Sequence, residues 1–179
     1  MKILSIGNFI KRKRFDLCVR TCTELRQEKA LESLTWRIIG GGPEREEIMK
    51  VAKSEVELVD RVDSLREHYQ WADLFVLPSY DEGFGLVYVE SIMCGCPIIG
   101  SIGEGATEIV EQTGGGILVE IPDSDREAVK NIKRAILEIN ANYSTYMNRE
   151  IIQKAVNKMD PVRIQQEWEV LIEKSSPLS

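Results

Sequence analysis

Pro78-Ser79-Tyr80-Asp81-Glu82-Gly83-Phe84-Gly85-Leu86-Val87-Tyr88-Val89-Glu90 follows the run Asp73–Leu77, which is apolar from Leu74 onward, and leads into a helix-period segment, Leu86–Cys94. An unbroken apolar run of strand length reads as a strand buried on both faces, as in a parallel sheet. The loop after it carries carboxylates and two glycines, and the helix then opens with N–H groups that have no intrahelical partner. Glu90 lies in LVYVESIM, where nearly every other side chain is apolar. A helix apolar on most faces is buried, so Glu90 is expected to be buried and to need specific partners. Two adjacent hydroxyls, as on a ribose or another sugar, suit the two oxygens of a carboxylate. A salt bridge within the chain would satisfy Glu90 as well, and Glu82 also reads as a solvated loop acid.

Outward from this stretch the chain alternates strand and helix. Strands are predicted at Lys2–Ile6, Leu34–Ile39, Val56–Val59, Pro97–Gly100 and Gly116–Glu120, and helices at Lys13–Glu28, Ser64–Trp71 and Ala106–Gln112. Another helix starts at Pro43, with Glu44, Glu46 and Glu47 suited to its N-terminal dipole. Short apolar strands separated by helices predict an α/β fold, a Rossmann-like doubly wound parallel sheet. Past Pro122 only helices follow. Ser124 and Glu127 form a capping box before the periodic Ala128, Ile132, Ala135, Ile136 and Ile139. A second helix is predicted over Ser144–Met159, and a last one from Asp160-Pro161, lined by Ile164, Trp168, Leu171 and Ile172. Residues 175–179 read as a disordered tail.

At 179 residues, 43% of them apolar and 29% charged, the chain fits one domain with one core. Its net charge of −6 argues against nucleic acid or an acidic membrane surface as a partner. No apolar stretch reaches the roughly 18 residues of a transmembrane helix, and MKILSIGNF leaves no room for a signal peptide. A cytoplasmic location is the expectation. Cys18 and Cys22 fall on an apolar helix stripe with Phe15, Val19 and Leu25, which predicts core packing. Cys94 and Cys96 lack a zinc spacing, and His68 is the single histidine, so neither a metal site nor a disulfide is expected.

Three more loops fall at predicted strand ends, where open parallel sheets bind ligands. Gly7-Asn8-Phe9-Ile10-Lys11-Arg12-Lys13-Arg14 ends in four cations at a helix start, which oppose the helix dipole unless an anion sits there. A solvated basic turn is the plainer reading. Gly40-Gly41-Gly42-Pro43 lacks dinucleotide and P-loop spacing, so it shows only that backbone approaches something, a ligand or the neighbouring strand. Gly103-Glu104-Gly105-Ala106-Thr107-Glu108 is either an anion nest or an ordinary helix cap.

Together and in this order, PSYDEGFG, the glutamate pair Glu82 and Glu90, CGCPIIG, EGATEIV, IIGGGPEREE and Val56–Asp63 resemble the C-terminal, donor-binding domain of GT-B glycosyltransferases. The group is retaining family 4, the glycosyl transferases group 1. The resemblance runs from Ile3 to Val119 and continues less specifically through the final helices. It implies a donor-binding domain over residues 1–174 and transfer of a hexosyl group from a nucleoside-diphosphate sugar with retained stereochemistry. Lys13 corresponds to the lysine on the donor diphosphate and Gly7 to the glycine of the first loop. Glu90 corresponds to the carboxylate on the ribose and Glu82 to the acid near the transferred sugar, so Glu82 and Lys13 are the implied catalytic residues. Backbone at Phe84, Gly85, Leu86 and Val87 would bind sugar and phosphate, Arg61 and Val62 lie at the base, and Gly105, Ala106 and Thr107 face the diphosphate. No cofactor and no metal are implied, because cations and helix starts stabilise the leaving group.

Departures from that pattern are specific. Asn8 stands at an arginine position, Arg14 follows the lysine in place of a glycine, and Asp60 replaces another glycine. Asn8 donates hydrogen bonds but carries no charge, so phosphate binding is expected to be weaker or shared with Arg12 or Arg14. The N-terminal acceptor domain of the family is missing, so the chain reads as an excised or truncated half, Met1 being an introduced start. The helix bearing Trp168 would reach toward that half and leave an apolar surface through which the chain could dimerise. The full-length enzyme would be cytoplasmic or peripheral at the inner membrane face, in polysaccharide biosynthesis. Two other readings stand beside this one, a non-catalytic interaction module and half of a sugar-nucleotide epimerase. The base, sugar and acceptor are left open.

Overall fold

The computed structural model describes residues 1–80, 83 and 85–160. Six strands, β1 (Lys2–Ile6), β2 (Thr35–Ile39), β3 (Val56–Val59), β4 (Leu74–Leu77), β5 (Ile98–Ser101) and β6 (Gly116–Val119), form one sheet in the order β3-β2-β1-β4-β5-β6. Every pairing is parallel. Helices α1 (Phe15–Gln27), α2 (Arg45–Val51), α3 (Arg66–Trp71), α4 (Leu86–Met93) and α5 (Glu104–Thr113) connect successive strands, and α6 (Asp125–Ala141), α7 (Tyr143–Tyr146) and α8 (Arg149–Lys158) follow. The expected doubly wound, Rossmann-like sheet is present.

The chain winds outward from β1 to β3, returns to pair β4 with β1, and then winds outward the other way. Right-handed crossovers running in opposite directions place their helices on opposite faces. Accordingly α1 packs with α2 and α6, while α8 packs with α4 and α5. Between these layers the four central strands hold the core, with Ile3, Leu4, Trp36, Ile38, Leu74, Phe75, Ile98 and Ile99 fully enclosed. One polar relay crosses this core, in which the Trp36 indole donates to Ser5 Oγ at 2.9 Å and Ser5 donates to the Val76 carbonyl at 2.5 Å. The Trp36 and Ser5 donors thus each have an acceptor. Cys18, Cys22 and Cys96 are buried in the core as expected and Cys94 is half-buried; all four are free thiols. Burial pushes Cys22 and Cys96 up to about 12.

Several helix ends differ from the sequence reading, among them the starts of α2 at Arg45 and α3 at Arg66, each two residues later than expected. Helix α1 starts at Phe15 rather than Lys13, because Lys11–Lys13 form a 3-10 turn and Arg14 adopts a left-handed conformation, φ 50°. Helix α5 begins at Glu104 rather than Ala106. The helix predicted over Ser144–Met159 is two, α7 and α8, since Met147 is extended and Asn148 starts a new helix by accepting from the N–H groups of Glu150 and Ile151. Ser124 caps α6 by accepting from the Glu127 N–H, as the sequence suggests. The helix expected from Pro161, with Trp168, and the tail at 175–179 lie outside the described residues. No described helix is long and apolar enough to cross a membrane.

Side-chain ties hold α6 on α1. Arg14 pairs with Asp16 and Asp125 and donates to the Tyr80 hydroxyl at 2.7 Å, and Lys133 pairs with Glu24 and Glu28 at 3.0 and 2.7 Å. Replacing Arg14 with alanine is expected to cost about 1–2 kcal/mol in urea denaturation, because it removes several bonds from a largely buried side chain. Arg20→Ala, which loses one exposed pair to Asp125, should stay within about 0.5 kcal/mol. The glycine run after β2 gives a second contrast. A Cβ at Gly40 (φ 150°) would overlap the Gly7 carbonyl oxygen, whereas one at Gly41 meets nothing within 4 Å. Gly40→Ala should therefore cost about 2–3 kcal/mol and Gly41→Ala less than about 0.5 kcal/mol in the same measurement.

Candidate functional site

The reversal of winding opens a crevice where the exits of β1 and β4 diverge, the place where open α/β sheets hold ligands. The loop leaving β1 is laced to the loop leaving β2. Gly7 N–H donates to the Ile39 carbonyl, Phe9 N–H to Gly41 and Glu44 N–H to Phe9, each at 3.0 Å. A Cβ at Gly42 (φ 150°) would come within 2.6 Å of the Phe9 carbonyl oxygen. Gly40 and Gly42 therefore answer to this neighbouring backbone, whereas Gly41 faces open space. Phe9 itself is buried against Phe15, with ring centroids 5.1 Å apart.

The basic run divides into different roles. Lys11 and Arg12 are exposed. Lys13 is half-buried, and its stem passes Gly7 so closely that a Cβ there would lie 3.5 Å from Lys13 Cε. Burial, and then the charge of Arg12, hold the Lys13 ammonium below its ordinary pKa. Arg14 is committed to Asp16, Asp125 and Tyr80, so the expectation that it could share an anion is corrected. Its left-handed backbone turns the side chain toward α6. The Tyr80 N–H donates to the Arg12 carbonyl at 2.8 Å, which joins the β4 exit to the β1 exit across the crevice.

Asn8 does not stand alone. Its side-chain oxygen accepts from Arg61 Nη2 at 2.6 Å, so a guanidinium from the β3 exit reaches past the end of β2 to the β1 loop. Val62, the next residue, is exposed and lines a cavity of about 500 Å³ with Arg66, Tyr69, Glu90, Met93 and Cys94. Arg61 and Val62, grouped together by the sequence reading, thus have different neighbours.

Glu90 is exposed, which corrects the expectation of burial. Helix α4 turns Tyr88, Val89, Ser91 and Ile92 inward and leaves Leu86, Glu90 and Met93 on one outward stripe. Leu86 and Met93 are 48% and 39% exposed, and their apolar character made the helix read as buried on every side. The Glu90 carboxylate accepts from the Tyr69 hydroxyl at 2.9 Å, and it makes no ion pair among the described residues. Tyr69 was missed by sequence reasoning, since nothing along the predicted helix Ser64–Trp71 marks it out. The buried position of its ring depends on packing against Phe75 of β4.

Two helix starts meet beside this crevice. Gly85 caps α4 in a left-handed conformation (φ 66°), where a Cβ would lie 2.7 Å from the Tyr88 ring and 3.5 Å from the Gly105 carbonyl carbon. Leu86 and Val87 begin α4, and Gly105, Ala106 and Thr107 lie in the first turn of α5. Their positive dipole ends point the same way as the strand exits. Ala106 is buried against Gly100, and Thr107 Oγ1 accepts from the Gly103 N–H at 3.1 Å, so these side chains build the turn. Glu82 and Phe84 lie outside the described residues. A larger cavity, about 620 Å³, occupies the groove between α1, α2 and α6 and touches none of the candidate donor-binding or catalytic residues.

Comparison with known proteins bears on the family and the fold. Residues 1–138 match the family described as glycosyl transferases group 1. The chain is 29% identical over 138 residues to the GDP-mannose-dependent alpha-(1-6)-phosphatidylinositol monomannoside mannosyltransferase of Mycolicibacterium smegmatis, covering 69% of this chain and 35% of that protein. It is 32% identical over 128 residues to the N-acetyl-alpha-D-glucosaminyl L-malate synthase of Bacillus anthracis, covering 68% and 32%. It superposes on the pneumococcal O-GlcNAc transferase GtfA, solved with UDP and GlcNAc, with a TM-score of 0.79 at 23% identity, over 97% of this chain and 35% of that one. The chain spans about a third of the length of these relatives. Its sheet order, glycine-bearing helix starts and matched sequence make it a member of the glycosyl transferases group 1 family, with the fold of GT-B glycosyltransferases.

Proposed function

We propose that this chain is the donor-binding half of a retaining glycosyltransferase that moves a hexosyl group from a nucleoside-diphosphate sugar to an acceptor. The observation that carries the reading is Glu90, a carboxylate standing exposed beside a 500 Å³ cavity, held by a neutral donor and unpaired with any cation among the described residues. A carboxylate so placed keeps acceptor sites open for the hydroxyls of a ribose. The names of the relatives are consistent with this, one protein being GDP-mannose-dependent and one structure holding UDP.

The diphosphate belongs at the other end, where Gly7, Lys13, the Arg61–Asn8 pair and the starts of α4 and α5 gather. Fixed cations and helix starts oppose the charge that develops on the leaving diphosphate without having to reorganise. In this reading Arg61 serves the diphosphate and Val62 the base, and Arg61 supplies the charge that Asn8 lacks. No metal is needed for that stabilisation. Glu82 acts near the transferred sugar by family resemblance. The acceptor site belongs to a further domain, as the length of the relatives suggests, so this chain alone binds nucleotide weakly and transfers no sugar. An interaction module without ligand is the rival that Asn8 favours.

Calorimetric titration with UDP, GDP and ADP should give binding by at least one of them with Kd on the order of 1 mM, unchanged by a chelator. No heat with any of the three would favour the interaction module. Glu90→Ala should remove most of that binding. Arg61→Ala should weaken the bound diphosphate about tenfold, about 1.4 kcal/mol, and leave its parent nucleoside unaffected. Equal loss for nucleotide and nucleoside would return Arg61 to the base.

A further inference from the structure

The Tyr69–Glu90 contact joins a buried group to an exposed one. Tyr69 is 2% exposed, its ring centroid lies 6.0 Å from that of Phe75, and its hydroxyl is 2.9 Å from Glu90 Oε2. Glu90, by contrast, stands on the outward stripe of α4. Fixing a free glutamate side chain on ligand binding costs up to about 1.5–2 kcal/mol of rotamer entropy. A tyrosine locked by packing can impose that order before any ligand arrives. Burial, and then the nearby Glu90 charge, raise the Tyr69 hydroxyl far above an ordinary phenol, so it remains a donor throughout the neutral range.

We infer that Tyr69 is a positioning residue for Glu90, holding one carboxylate oxygen so that the remaining acceptor sites meet the two adjacent hydroxyls of a nucleotide ribose in the cavity. The inference rests on the proposed ribose-binding role of Glu90. A carboxylate offers about four lone-pair sites, so one bond to Tyr69 leaves room for two hydroxyl donors. A neutral donor also fixes orientation without cancelling charge, which a lysine or arginine in the same place would do. A tyrosine that only fastened α3 to α4 would affect stability and leave sugar preference untouched.

The test compares UDP, GDP and ADP with their 2′-deoxy counterparts, titrated into the 179-residue chain and into Glu90→Ala and Tyr69→Phe variants. The unsubstituted chain should prefer the ribonucleotide about tenfold and Glu90→Ala should abolish that preference. Tyr69→Phe should reduce it to threefold or less while binding of the 2′-deoxy nucleotide stays unchanged. In the unsubstituted chain the Tyr69 ring resonances should shift with the ribonucleotide more than with the 2′-deoxy form, a readout that does not depend on how a variant folds. If Glu90→Ala keeps the preference, or no nucleotide binds, the reading of Glu90 fails and this inference with it. If Glu90→Ala abolishes the preference but Tyr69→Phe keeps it, or if the Tyr69 ring responds equally to both nucleotides, the inference alone is overturned.

Discussion

The pairing of β4 with β1 is the constraint on which the rest of the molecule hangs. Ile3 and Leu4 align with Leu74 and Phe75, and this register brings together two strands that lie far apart in the chain. Because β2 already occupies the other side of β1, the polypeptide must reverse its direction of winding, and no crossover connection covers the crevice at that point. The loops that leave β1 and β4 face each other there and are joined by the Tyr80–Arg12 backbone bond. Close packing of the β1 and β2 exits, which glycine at positions 40 and 42 permits, keeps the first loop rigid.

That frame sorts the charges. Four consecutive cations look equivalent along the chain, yet the left-handed turn at Arg14 diverts its side chain to α6 while Lys13 lies over Gly7. Arg14 thereby becomes part of the scaffold. Arg61, which is 53 residues from Asn8, arrives at the same loop from the far side of β2. A guanidinium can cover that span because its stem is long and its planar fork finds an acceptor at the end.

Helix α4 shows how exposure of apolar groups can carry functional meaning. Leu86 and Met93 flank Glu90 on the outward stripe, and Val62 faces the same cavity from the β3 exit. Such a surface gains by being covered, whether by a nucleoside or by another domain. The free-energy cost of leaving it open is offset by the inward face, where Tyr88, Val89 and Ile92 are wholly buried.

Strand and helix order, the parallel character of the sheet, the core stripe of α6 and the family were all legible in the residues, because hydrophobic period and glycine-bearing strand ends are local properties. The spacing of Glu82 and Glu90 marked the β4–α4 segment as the decisive one, since motif spacing too is written along the chain. Local pattern could not place groups that meet only through space. Whether Glu90 is buried depended on which side of α4 faced the sheet, and an apolar stripe on each side made the period ambiguous. The break at Met147-Asn148, the commitment of Arg14, the meeting of Arg61 with Asn8 and the bond from Tyr69 to Glu90 were decided by tertiary structure alone. Each is a contact between side chain and neighbour set by packing angles and strand order, and those are properties of the whole sheet.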